Sequence, residues 1–216
     1  FRSRRYAGKA VSLADLKCQL LREPDEITRS AGHLKGAAEA LACPACGASI
    51  GWHPGVAEQL HCPACGTRLD AGGGSAMALE SARREARIKT SLSLGDEARI
   101  DGIRWRLIGF LRCRELGASE EWTEYLLYSE RQGFLWLVES DATWDKVKVL
   151  DTWPESVSAS AVRLDGAAYT RMLAYGAEVV YAAGAFNWQV KVGDKVSITD
   201  YRGSRGTLTS EQSKSE

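Results

Sequence analysis

Two five-residue runs, Cys43-Pro44-Ala45-Cys46-Gly47 and Cys62-Pro63-Ala64-Cys65-Gly66, are one motif written twice, with fifteen residues between the cysteine pairs. In each run the two-residue gap lets both sulfurs face one point. Pro stiffens the approach, and Gly permits the positive φ that turns backbone N–H groups toward the sulfurs. Two such knuckles supply four thiolates, a soft tetrahedral set that suits Zn2+ at about 2.3 Å and leaves no coordination position for water or substrate. The expectation is one structural zinc ion held by Cys43, Cys46, Cys62 and Cys65. The fifteen intervening residues, with Trp52 as their largest apolar side chain, hold too little core to fold alone, so metal binding would supply their folding energy. The competing readings are four buried thiols, two disulfides, or iron in the same cage. His53 and His61 lie close enough in sequence to replace a cysteine ligand; the simpler reading makes both solvent-facing imidazoles.

The elements around these ligands follow from local pattern. Val11, Leu13, Leu16, Leu20 and Leu21 recur at helical spacing until Pro24, which predicts an amphipathic helix over 11–22. Asp25 can cap a second helix over 26–41, weakened by Gly32 and Gly36. After the cysteine segment, Gly72-Gly73-Gly74-Ser75 reads as a flexible joint, and 76–89, rich in helix formers, as a connecting helix. From Leu94 the texture changes to short β-branched and aromatic runs separated by turn residues. Strands are expected at 104–114, 122–129, 133–139, 144–150, 177–188 and 195–201, with a hairpin turn at Asp101-Gly102. The polar stretch 204–216 lacks apolar periodicity and is expected to be disordered. The resulting organisation is a helical segment over 1–42, a zinc ribbon over 43–70, a linker and helix over 71–92, an antiparallel β domain over 93–203 and a tail over 204–216. The fold class is mainly β, an antiparallel barrel or sandwich carrying a small zinc ribbon and short N-terminal helices.

Composition bounds the partners. The 216 residues include 44% hydrophobic side chains, enough for a packed core, and 28 basic residues balance 28 acidic ones. Without a strong positive field, nucleic acid and anionic membrane are disfavoured as partners. The first ninety residues carry 13 basic and 9 acidic side chains, a mild excess that zinc-bound thiolates would largely cancel. No run approaches the roughly 18 apolar residues of a membrane helix. The chain opens on Phe1-Arg2-Ser3-Arg4-Arg5, with no initiating Met and no apolar signal segment, and so reads as a piece of a longer product. Paired cysteines beside the solitary Cys18 and Cys113 suit a reducing compartment, and the expected location is the cytoplasm.

Several runs then resemble a known family. Leu94-Gly95-Asp96, Gly102-Ile103-Arg104-Trp105-Arg106-Leu107-Ile108-Gly109, Trp122-Thr123-Glu124-Tyr125-Leu126-Leu127 and Trp136-Leu137 occur in the order of a bacterial domain-of-unknown-function family, number 4178. Gly184-Ala185-Phe186-Asn187-Trp188, Val192-Gly193-Asp194 and Asp200-Tyr201 resemble its closing part, giving coverage of roughly 43–212. The family pattern usually has Glu where this chain has Ala185 and often Trp where it has Tyr125, so any role resting on that carboxylate is in doubt here. The resemblance implies a soluble bacterial protein with a zinc ribbon on a β domain, often encoded near polyamine-synthesis and envelope-maintenance genes. It implies no known reaction.

No catalytic set is visible: there is no phosphate-binding glycine loop, no Gly-x-Ser-x-Gly elbow and no paired His on a helix. Glu120, Glu121 and Glu124 around Trp122 could form an acidic pocket on an aromatic floor, suited to a polyamine or a basic peptide. The alternative puts Trp122 in the core, with Glu124 on the same strand face satisfying a buried Arg or backbone group. Arg83, Arg84, Arg87 and Lys89 form a basic stretch, read as a solvated helix face. Most of the tryptophans should be core, while some could line a groove, and Trp122, Glu124, Tyr125 and Trp136 are the candidate interaction surface. The expectation is therefore a non-enzymatic, zinc-binding interaction or scaffold module with a protein partner and room for a small cationic ligand. The alternatives are a nucleic-acid-binding ribbon protein and an accessory protein of polyamine metabolism or envelope maintenance.

Overall fold

The computed structural model describes residues 39–71, 77–80, 88–141, 143–150 and 152–213, and these residues contain strands and no helix. Two short hairpins come first, β1 (Glu39–Ala42) with β2 (Ser49–Trp52), then β3 (Gln59–His61) with β4 (Arg68–Asp70), followed by β5 (Met77–Glu80). Next come β6 (Glu97–Ile100), β7 (Ile103–Glu115), β8 (Glu121–Ser129), β9 (Gly133–Ser140) and β10 (Thr143–Val147). The chain closes with β11 (Glu155–Ser158), β12 (Ala161–Leu164), β13 (Ala167–Phe186), β14 (Lys195–Gly203) and β15 (Gly206–Ser213). All pairings are antiparallel.

β13 is the spine. Along one edge it pairs first with β12 and then with β7; along the other, first with β14 and then with β3. Twenty residues of strand can do this because register shifts at Arg171/Leu173 and Val179/Tyr181 bend it between partners. Where β13 meets β7 the backbones approach closely. A Cβ on Gly109 would run into the Ala185 carbonyl oxygen, and one on Gly184, at φ 91°, into that of Ile108. The expected Asp101-Gly102 turn is present, with φ of 52° and 77°, and Asp165-Gly166 repeats it between β12 and β13 at 47° and 76°.

Two cores lie on opposite faces of the long strands. Trp105, Leu107, Phe110, Tyr125, Leu127, Leu135 and Tyr181 fill one, where Phe110 and Tyr181 stack at 5.6 Å. The other joins Leu111, Leu126, Val179 and Phe186 to Ile50, Trp52, Leu60 and Leu69 of the cysteine segment, so that segment shares a core with the sheet. β3 pairs directly with the end of β13 (Gly184 opposite His61, Phe186 opposite Gln59), and the 59–61 strand is buried throughout.

The expected strands at 104–114, 122–129, 133–139 and 195–201 are present, that at 144–150 stops at Val147, and 177–186 is the second half of β13. Three expectations are corrected. Residues 77–80, assigned to a connecting helix, form β5 against β4; pairing to an existing sheet edge overrides a propensity worth only tenths of a kcal/mol per residue. Residues 39–41, assigned to the end of a helix, begin β1. Residues 206–213, expected to be disordered, form β15, whose Thr-rich sequence is polar because it pairs on one side only and is largely exposed. The helix over 11–22, the rest of that over 26–41, the Gly72–Ser75 joint and the basic residues 83–87 lie outside the described residues. No helix among the described residues is long and apolar enough to cross a membrane.

Candidate metal centre

The two cysteine knuckles are built alike. Cys43 directly follows β1, its N–H donates to Ala48 O at 2.8 Å, and Gly47 N–H donates back to Cys43 O at 2.8 Å. In the second knuckle Cys62 directly follows β3, with Cys62 N–H to Thr67 O and Gly66 N–H to Cys62 O both at 2.9 Å. Gly47 and Gly66 take φ of 75° and 78°, the left-handed conformation expected of them. The paired turns bring the four sulfurs within 4.8 Å of one another, with Cys43 to Cys65 at 3.8 Å and Cys46 to Cys62 at 3.7 Å. A tetrahedron of sulfurs about 2.3 Å from its centre has edges of about 3.8 Å, whereas a disulfide needs about 2.05 Å. The cysteines are free thiols arranged as a ligand set that could hold a metal ion.

The thiols differ in readiness. Burial pushes Cys62 up to about 12. Burial also pushes Cys65 up, but the Thr67 hydroxyl at 3.1 Å, the Thr67 backbone and the Cys46 and Cys62 thiols outweigh it and bring Cys65 down to about 6. One ligand is thus ready as thiolate near neutral pH, and a bound cation would have to displace the proton of Cys62. His61 is corrected from its solvent-facing assignment: it is 2% exposed, its Nε2 lies 3.0 Å from Val190 O, and its ring meets Phe186 edge-on. Neither it nor His53, which packs on Tyr128, belongs to the four-sulfur cluster.

The candidate interaction residues divide between the two faces. Trp122, Glu124 and Trp136 share the face that also carries the cysteine segment, with Glu124 opposite Val138 and Trp136 opposite Leu126. Among the described residues Glu124 binds neither an Arg nor the backbone. It accepts from Trp122 Nε1 at 2.7 Å and from the Cys113 thiol, and burial raises its carboxyl above the usual range. Tyr125 points the other way and is 0% exposed, so it is no part of that surface; its hydroxyl donates to Glu139 at 2.6 Å and accepts from Ser91 N–H. Around that network Lys89, Thr90, Arg112, Glu121, Thr123 and Asp141 line a polar cleft of about 420 Å³.

Three residues that sequence reasoning missed share one face by strand register, and two of them, Tyr175 and Glu211, lie within reach of the Glu124 charge. Tyr175 opposes Ile198, Ile198 opposes Glu211, and Asp200 lies two positions along β14 on the same face. Tyr175 meets Trp122 edge-on at 6.1 Å. Partial burial of its carboxyl and the charges of Glu124 and Asp200 raise Glu211 to about 7, although the residue as a whole keeps substantial exposure. No local motif announces this cluster, since its members come from strands far apart in the chain.

Comparison with curated proteins and with solved structures gives no match. A family model, the domain of unknown function DUF4178, matches residues 93–216 and leaves the cysteine segment outside, narrower than the 43–212 of the resemblance. That span is more than half of the chain and takes in β6 to β15, and the protein belongs to this DUF4178 family.

Proposed function

We propose that this chain is a non-enzymatic interaction module in which the four cysteines hold one structural zinc ion and the sheet presents a surface to a protein partner. The observation that carries the partner reading is a run of large apolar side chains left in solvent: Trp144 (44% exposed), Val149 (69%), Leu150 (47%), Trp153 (65%) and Val157 (53%). Successive exposed apolar residues of this size are unusual on a surface without an interaction role, and tryptophan is enriched where proteins meet. Zinc is favoured by four sulfurs at tetrahedral spacing with no fifth ligand among the described residues.

The test has two arms on the same protein. Metal content by plasma mass spectrometry should give about one zinc per chain, lost in Cys43→Ser, Cys62→Ser. Photo-crosslinkers at Val149 and Trp153 should capture a discrete protein in cells of the source, and one at the exposed polar control Gln212 on β15 should not. Adducts that do not differ between the positions would remove the partner reading while leaving zinc intact. A second reading, a small polyvalent cation, is favoured by Glu124, Asp200 and Glu211 converging beside Trp122 and Tyr175. It requires a thermal shift with spermidine that disappears in Glu124→Gln.

A further inference from the structure

Gln59 and His61, both in β3, are polar yet 1% and 2% exposed. Gln59 Oε1 accepts from Val190 N–H at 2.6 Å, and His61 Nε2 donates to Val190 O at 3.0 Å. Val190 is itself 3% exposed, and both of its backbone polar groups are held by side chains of the cysteine segment. Leaving either group buried without a partner costs about 1–3 kcal/mol. Gly193 and Asp194, at the far end of the loop between β13 and β14, are tied to Val179 of β13, so what β3 holds in place is the stretch around Val190.

β3 in turn runs straight into Cys62. On the other side of His61 a chain of ring contacts leads outward: His61 to Phe186 at 5.7 Å, Phe186 to Trp188 at 5.1 Å, and Trp188 to Trp136 on β9 at 5.0 Å. A small four-thiolate segment is ordered with its metal and unfolded without it, which makes it the kind of two-state element through which one site can bias another.

Resting on the reading that the cysteines hold a metal, we infer that metal occupancy gates the Trp136–Trp188 surface through the clamp of Gln59 and His61 on Val190. Without metal, β3 loosens, the Val190 amide and carbonyl lose their partners, the loop opens to regain them from water, and Trp188 parts from Trp136. With metal, the two indoles are held together and the surface is assembled.

The test is hydrogen–deuterium exchange on the full chain, loaded with zinc and after its removal by a thiol-competent chelator. Exchange at Val190 is expected to speed up by about tenfold or more on metal removal. The β14–β15 hairpin, which makes no pairing with the cysteine segment, should keep its protection. In Gln59→Met, His61→Phe the cysteines should still hold about one zinc, and Val190 should exchange fast in both states. Metal binding followed by an unchanged Val190 rate after chelation overturns the inference alone. Equal loss of protection in β14–β15 also overturns it, because the change is then global unfolding. A chain that takes up no metal overturns the metal reading and the inference together.

Discussion

Glu211 shows how a residue with no motif around it acquires a chemical state. On β15 it would be an ordinary surface carboxylate, but its register with Ile198 puts it on the face that holds Asp200 and Glu124. Its carboxyl moves from about 4.5 to about 7. Between those values the folded state keeps a proton that the unfolded chain has released, so this contribution to stability is fully present below about pH 4.5 and lost as pH rises through 7. Glu211→Gln cannot ionise and removes the penalty. Its melting temperature should match the parent at pH 4.5 and exceed it at pH 8 by roughly 2 °C, a small effect because the residue is exposed enough for solvent to screen it. Melting curves at pH 4.5, 6 and 8 check this; a gain that is the same at every pH would mean that the like charges do not matter. The cysteine ligands could be read from sequence because each pair is local. Glu211, Asp200 and Tyr175 could not, because only strand pairing brings them to Glu124.

At the scale of elements, β13 decides the architecture, and its crossing with β7 rests on two glycines. Gly184 combines a positive φ with a backbone contact that leaves no room for a methyl group. Gly184→Ala should cost about 3 kcal/mol or more, by adding left-handed strain to a clash with a carbonyl that cannot swing away. Gly193→Ala, also at positive φ but with open space around its Cβ position, should cost only about 1 kcal/mol. Denaturant unfolding of the pair checks the contrast, and equal losses would show that the close approach carries no cost of its own. The strands from 103 to 140 were legible because each is an apolar and aromatic run bounded by clear turn residues, the composition of strands covered on both faces. β11, β12 and the first half of β13 went unassigned. Glu155–Ser158 is exposed at every position and Ala167–Ala174 at most, so no buried face imposed a period on the sequence. Met77–Glu80 has helical composition and becomes a strand because β4 offers it an edge.

For the whole molecule, the match begins at residue 93 while the physical core begins earlier. Leu60, Leu69, Ile50 and Trp52 pack in one cluster with Leu111, Leu126, Val179 and Phe186, and β3 extends the sheet from the far end of β13. Cutting the chain at 93 would uncover that face and strip Val190 of both hydrogen-bond partners, while the opposite core of Phe110, Tyr125 and Tyr181 would lose only Ile88 and Leu92 from its edge and the Ser91 bond to Tyr125. A 93–216 fragment should therefore retain sheet content by circular dichroism but melt roughly 10 °C or more below the full chain and bind a hydrophobic dye that the full chain ignores. The size of the loss follows from the area involved. A fully buried Leu or Phe contributes about 1.5–3 kcal/mol, and several lose their cover at once. Melting temperature and dye binding of the two proteins, measured side by side, decide the matter. A fragment as stable and as dye-silent as the full chain would make the cysteine segment a separable appendage. The expected loss would make it the lid of a core that the family domain cannot close alone.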